Sequence, residues 1–402
     1  MRFLRLRPAV LGLVLLITAL VLLAGELCLR VAARGFTPSA LARWGEPPSW
    51  SAIKTTSAIG LAHPVPGGLA TWPLQPWDAP IEYRLDGLGF RVQTDVAPRQ
   101  SRGCRVLAVG DSHTFGYGVA AGAAWPARLE GLLDHSGHPA SVVNAGICGV
   151  DLAAERAWLT EVLDRVDPDV VVLGTTPWSL RVEGGPPESD RFGDRLWRRL
   201  DAPLRRAAGH SALVDRGRRL VVHGLTALLG WPPPGAVFDE LTPLLEPEPA
   251  FASRWASVDA VLADMVVSIR RRGAQPLLVF VPLDLQLSQA RNRLYKAEGL
   301  PYPSNGFVDR DYTRDDRYRR AIAAEETALG ISVVDATEAL APDVEHSFLG
   351  DDYHLSAAGH RRVAEVLLPA VRDLCTGRGG SSPATMRYAG SSSRRSAVST
   401  GE

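Results

Sequence analysis

Lysine is nearly absent from this chain. Of its 44 basic residues only Lys54 and Lys296 are lysines, and the rest are arginines. Forty-four acidic residues balance them, so no excess positive charge points to nucleic acid as the partner. Cysteine is scarce as well: four in 402 residues exclude a disulfide-built scaffold. No internal repeat is visible, which excludes a solenoid or propeller. His346, Asp351, Asp352, His354 and His360 are acids and imidazoles in one stretch, but their spacing fits no compact metal-ligand set. The G-x-S-x-G elbow of the lipase type is missing too, because Thr114 stands where its second glycine is needed. What remains is an apolar content of 46%, enough for a proper core.

One long apolar run is present. It extends over 17 residues from Ala9 to Gly25, behind Arg2, Arg5 and Arg7, at the short end of a membrane span. Leu27 to Leu29 lengthen it if Glu26 lies among lipid headgroups. Residues 1–34 therefore read as an N-terminal transmembrane anchor. The alternative is a signal peptide cleaved after Val31-Ala32-Ala33. Arg30, Arg34 and Arg43 nearly match the basic residues ahead of the run, so charge bias alone does not orient it. A short internal tail with the globular part exported is the expected arrangement.

Residues 35–100 are rich in Pro and Trp with little periodicity, and read as an irregular lead-in. Trp44, Trp50, Trp72 and Trp77 suit packing better than ligand binding, and "YRLDGLGFRV" reads as a hairpin around Asp86-Gly87. From about residue 101 to 375 the pattern becomes strand-helix alternation. The apolar strands "RVLAVG", "SVVNAG", "DVVVLG", "PLLVFV" and "ISVVD" are separated by helical segments. Short strands, apolar throughout, belong to a parallel sheet covered on both faces. The fold class is therefore α/β, a three-layer doubly wound sheet of flavodoxin-like type. A helical insertion occupies about 178–250, and its segment Arg191 to Arg219 carries nine Arg against three Asp. That segment is either a cap with its arginines in water or a basic amphipathic helix on a membrane surface. The Gly/Ser-rich residues 376–402 read as a disordered tail. Cys104 precedes the first strand and Cys375 ends the last helix, which predicts a Cys104–Cys375 bridge and an oxidising compartment. Cys148 falls at the opposite end of the sheet and stays unpaired.

In such sheets ligands bind at the C-terminal ends of the strands. Ser112, in "LAVGDSHTFGYGV", lies just beyond the first strand, where its own N–H and a helix N-terminus face developing negative charge. A serine needs a base, usually a histidine oriented by a carboxylate. "GDDYHLSAAGH" offers both before the last helix: His354 as the base and Asp351, three residues earlier, as its partner. Asp111 reads as structural, tying the loop through backbone hydrogen bonds, and Asn144 as pinning the turn after the second strand. His113 reads as a wall residue, His360 as a capping or packing group, and His135 and His138 as loop residues.

These blocks resemble the SGNH (GDSL) hydrolases. "GDSHTFG" matches the nucleophile block at Ser112, "VVNAGICG" matches the glycine block at Gly149, and Asp351 with His354 matches the Asp-x-x-His block. The resemblance implies an oxyanion hole made by the N–H groups of Ser112 and Gly149. The family's third block usually supplies an Asn side chain as well. Here "VVVLGTTPWSL" puts Thr176 at that place, with Thr175 beside it. Losing one oxyanion donor raises a barrier by about 2.7–4 kcal/mol. The implied function is a membrane-anchored, extracytoplasmic serine esterase acting on an acetyl or short-acyl ester of a carbohydrate or lipid, without a cofactor. The alternatives are an O-acyltransferase working on an exported polysaccharide with the same residues, and a catalytically impaired binding or assembly module.

Overall fold

The computed structural model describes residues 16–28, 52–56, 61–72, 81–92, 103–180, 213–214, 217, 248–297, 311–350 and 352–377. Among the described residues eight strands form one sheet, in the order β10 (Ser332–Asp335), β9 (Gln275–Phe280), β8 (Val170–Thr175), β6 (Cys104–Gly110), β7 (Ala140–Gly146), β5 (Arg91–Val92), β4 (Ile81–Leu85) and β3 (Leu69–Trp72). Its parallel part consists of β6 (Cys104–Gly110), β7 (Ala140–Gly146), β8 (Val170–Thr175), β9 (Gln275–Phe280) and β10 (Ser332–Asp335). Counted along the chain, these five lie 2-1-3-4-5, the flavodoxin-like order, whose direction reverses at the boundary between β6 and β8.

Side chains of successive strand residues point to opposite faces, and β6 feeds two cores in this way. Leu107 and Val109 pack with Leu159, Leu262 and Met265 on one face. Val106 and Ala108 pack with Trp125, Leu129, Val363 and Leu367 on the other. The first face is covered by helices Leu152–Val166, Glu248–Arg271 and Arg317–Leu329, the second by Trp125–His135 and Ala357–Cys375. Asp151 caps its helix by accepting from the Ala154 N–H at 3.0 Å. Cys104 and Cys375 are joined, with Cα atoms 5.6 Å apart, and Cys148 is free and buried.

The lead-in differs from the sequence reading. The hairpin at Asp86-Gly87 is present, with the Asp86 carboxylate accepting from Leu88 N–H at 2.8 Å and Phe90 N–H at 2.9 Å. But β3 (Leu69–Trp72), β4 (Ile81–Leu85) and β5 (Arg91–Val92) are full members of the sheet, joined antiparallel to β7 through Arg91 and Asn144. β1 (Lys54–Thr56) and β2 (Ala62–Pro64) form a separate antiparallel ribbon. Strands of two to five residues are too short to show an alternation, which is why composition alone suggested an irregular segment.

Of the expected anchor, residues 16–28 form a helix with Leu16, Leu20, Val21 and Leu23 exposed. Among the described residues no helix is long and apolar enough to cross a membrane. The rest of residues 1–34, nearly all of the 178–250 insertion and the 378–402 tail lie outside the described residues.

Candidate active site

At Gly110 β6 stops, and the chain turns at once into a one-turn helix, Ser112–Phe115. Asp111 caps it, its carboxylate accepting from the His113 N–H at 2.9 Å. This puts Ser112 at the C-terminal end of the strand beside the point where strand order reverses. The turn closes only on glycine: a Cβ at Gly110 would lie 2.3 Å from Thr114 Oγ1 and 2.4 Å from the Gly174 carbonyl oxygen.

His354 arrives from the other end of the chain, on the loop ahead of the helix Ala357–Cys375. Its Nε2 accepts from the Ser112 hydroxyl at 2.8 Å, and its Nδ1–H donates to Asp352 Oδ1 at 2.6 Å. Both Ser112 and His354 are under a tenth exposed, at 7% and 8%, so little water competes for the bond between them.

The acid is a correction to the sequence reading. Asp351 was expected at the histidine; the structure puts Asp352 there, and Asp351 lies outside the described residues. A spacing of two lets one carboxylate oxygen take the ring N–H and also the His354 backbone N–H, the latter at 3.0 Å. Burial pushes the Asp352 carboxyl up, but the charge and hydrogen bonds of His354 outweigh it and hold the group below the usual range.

Thr176 is the second correction. It is fully buried, and its single hydroxyl proton goes to Asp111 Oδ2 at 2.6 Å, while its oxygen accepts from the Ser179 N–H at 3.1 Å. The Thr175 hydroxyl donates to the Val279 carbonyl at 3.0 Å. As placed, neither threonine has a proton left for an oxyanion. Gly149 occupies an exposed turn after β7 with φ 68°. That turn is drawn alongside the serine strand by the Ile147 N–H, which donates to the Gly110 carbonyl at 3.0 Å.

Asp111 and Asn144 support the loops. Burial pushes the Asp111 carboxyl up, yet the hydrogen bond and charge of His113 and the hydrogen bond of Thr176 hold it below its usual range. Asn144 accepts from the Gly146 N–H at 3.0 Å and donates to the Phe115 carbonyl at 3.3 Å. His113 is buried behind the base: its ring lies 5.0 Å from that of His354, and its Nε2–H donates to the Tyr353 carbonyl at 3.2 Å. Tyr117, with its ring 4.3 Å from His354, flanks the same imidazole. His360 belongs elsewhere. Its Nδ1 accepts from the Trp125 N–H at 3.2 Å, and burial drives its pKa well down. His346 pairs with Asp343 at 2.7 Å, so neither histidine joins His354.

Sequence reasoning missed Asp352, Lys54, Arg91 and Arg291. Lys54 donates to the Cys148 carbonyl at 2.9 Å. Arg91 donates to the Phe115 and Val119 carbonyls, each at 2.5 Å, and to that of Gly116. Arg291 donates to the carbonyls of Leu349 and Gly350 at 3.0 and 2.6 Å. The rarity of lysine was the one available signal, and it named no partner.

No protein-family model matches the chain, and no curated protein does. Several solved structures are similar to it. A lipase/acylhydrolase from Enterococcus faecalis is 15% identical, with 68% of this chain and 96% of that one covered and a TM-score of 0.39. An acetylxylan esterase from Geobacillus stearothermophilus is 17% identical, with 68% and 95% covered and a TM-score of 0.36. A structure described as a lipolytic protein of the G-D-S-L family, from Desulfitobacterium hafniense, is 14% identical, with 66% and 99% covered and a TM-score of 0.33.

Proposed function

We propose that the protein is a serine ester hydrolase of the SGNH (GDSL) kind, working through Ser112, His354 and Asp352. The observation that carries this reading is the continuous hydrogen-bonded line from the Ser112 hydroxyl through the imidazole to the Asp352 carboxylate, at 2.8 and 2.6 Å. In this reading the Ser112 oxygen attacks an ester carbonyl as His354 Nε2 takes its proton. Asp352 holds the ring in the tautomer with Nδ1–H and stabilises the imidazolium that forms. The N–H groups of Ser112 and Gly149 receive the negative charge on the carbonyl oxygen. His354 returns the proton to the leaving alcohol, and water, activated by the same base, releases the acyl group.

A short acyl ester of a carbohydrate or lipid is the proposed substrate class. The neighbouring acetylxylan esterase supports that choice only as a precedent. We also propose that the enzyme is membrane-anchored and faces an oxidising compartment. The apolar run from Ala9 to Gly25 supports the first, and the Cys104–Cys375 bond the second. Labelling of the detergent-solubilised full chain with a fluorophosphonate probe, alongside hydrolysis of p-nitrophenyl acetate, tests the chemistry. Labelling and turnover that Ser112→Ala and His354→Ala abolish are expected; a folded parent that does neither refutes it. Carbonate extraction of cell membranes tests the anchor, with the protein expected in the pellet.

A further inference from the structure

We infer that the strands ahead of the α/β core are a positioning device for the active site, with Arg91 and Lys54 holding from behind the two loops that meet the ester. The inference rests on the esterase reading above.

Arg91 sits on β5, 5% exposed. Among the described residues its guanidinium meets carbonyl oxygens and rings rather than a carboxylate. One nitrogen donates to the Phe115 and Gly116 carbonyls and another to that of Val119. Phe115 ends the helical turn that Ser112 begins, and its carbonyl is one that a helix C-terminus leaves without an intrahelical partner. The cation also lies over the rings of Tyr83 and Phe115, 4.8 and 4.6 Å from their centroids. Tyr83, on β4, accepts from the Gly118 N–H at 2.9 Å. Residues 115, 116, 118 and 119 are thus all tied to the lead-in. Gly116 has to be glycine for this contact, with φ 83° and a Cβ position only 2.8 Å from Arg91 Nη1. Burial lowers the Arg91 pKa to about 10, which still leaves it charged at neutral pH.

Lys54 does the same for the second loop. Its ammonium donates to the Cys148 carbonyl at 2.9 Å, which belongs to the same peptide unit as the Gly149 N–H. The C=O and N–H of a trans peptide point in opposite directions, and no cis peptide occurs among the described residues. Fixing that carbonyl on Lys54 therefore fixes the direction of the amide assigned to the oxyanion, and the positive charge polarises it toward stronger donation. Lys54 is a positioning residue and touches no reacting atom itself.

The two lysine variants decide the matter. In the full chain, Lys54→Met is expected to lower kcat roughly tenfold to a hundredfold, the scale of a misplaced catalytic group. KM for p-nitrophenyl acetate and the unfolding temperature should stay at parental values, because a half-buried side chain is lost without opening the core. Lys54→Arg should recover most of kcat. Arg91→Met should lower kcat together with the rate of fluorophosphonate labelling, and Arg91→Lys should recover part of both; where the Arg91 variants do not fold, the Lys54 pair carries the test. Lys54→Met at parental kcat, or a loss that Lys54→Arg does not repair, overturns the inference while Ser112-dependent turnover of the parent keeps the esterase reading standing. A folded parent with neither labelling nor turnover overturns both.

Discussion

The serine and the histidine are held by opposite means. On the serine side the constraint is backbone: β6 is buried between two parallel neighbours, and Asp111 caps the turn with its own carboxylate. A one-residue slip there would drive a Cβ into Thr114 or Gly174. On the histidine side the loop carries the Phe348–Leu355 bridge and a bond from the Leu349 N–H to the His354 carbonyl at 2.9 Å. It is held by side chains from distant sequence: Arg291 on the Leu349 and Gly350 carbonyls, and His113 on that of Tyr353. The nucleophile is thus set by a buried strand end and a local cap, whereas the base rides on a loop that depends in addition on polar side chains from distant sequence.

The largest effects should not distinguish the two sides. Ser112→Ala and His354→Ala are each expected to cost about 10⁴-fold or more in kcat, since members of such a unit act together. The acid is the sharper probe, because only the histidine side depends on it. Asp352→Asn should reduce kcat by about 10³- to 10⁴-fold with the fold intact, through the wrong imidazole tautomer. Asp351→Asn should leave kcat within about a factor of two, because Asp352 already takes the imidazole N–H. Steady-state kinetics of both variants decides it, and the reverse result would restore Asp351 to the histidine.

What could be read in advance follows the same division. The five core strands, their parallel order and the strand-end Ser112 are written in contiguous runs such as "VLAVGDS" and "VVVLGT", where apolar length and a terminal Gly-Asp-Ser suffice. Asp352 was not legible because two adjacent carboxylates precede His354, and a spacing of two or three residues serves an imidazole equally well on paper. Thr176 was legible as a position but not as a role. Which acceptor takes its proton depends on Asp111, 65 residues away. Arg91 and Lys54 were hidden for a related reason: their strands are two and three residues long, and their acceptors are backbone carbonyls that carry no sequence signature.

The disulfide links the two sides at the end remote from the reaction. Cys104 opens the serine strand, and Cys375 ends the helix that follows His354. A cross-link over 271 residues of sequence constrains the unfolded chain strongly, and its removal is expected to cost about 2–5 kcal/mol. Because it lies beyond the far ends of both elements, the surviving folded enzyme should keep parental kcat. Urea unfolding and kinetics of the paired Cys104→Ala, Cys375→Ala variant measure the two quantities separately. A fall in kcat larger than the loss of folded protein would mean that the bridge also sets the distance between Ser112 and His354.

The smallest expected effect bears on the serine side alone. Thr176→Val removes the hydroxyl that donates to Asp111, a buried charge-assisted bond worth about 1.5–3 kcal/mol. Were Thr176 an oxyanion donor instead, stability would hold and kcat would fall about 10²- to 10³-fold. The pH dependence separates the cases further. The folded pKa of Asp111 lies below its unfolded value, because the His113 and Thr176 interactions outweigh burial. Its stabilisation is therefore fully present above the unfolded value of about 3.9 and is lost as pH falls through the folded pKa. The stability gap between parent and Thr176→Val should thus stay constant from neutral pH down to about 4 and close below it. Urea titrations across that range would show it, and a gap that persisted in acid would mean that Thr176 acts on something other than the Asp111 carboxylate.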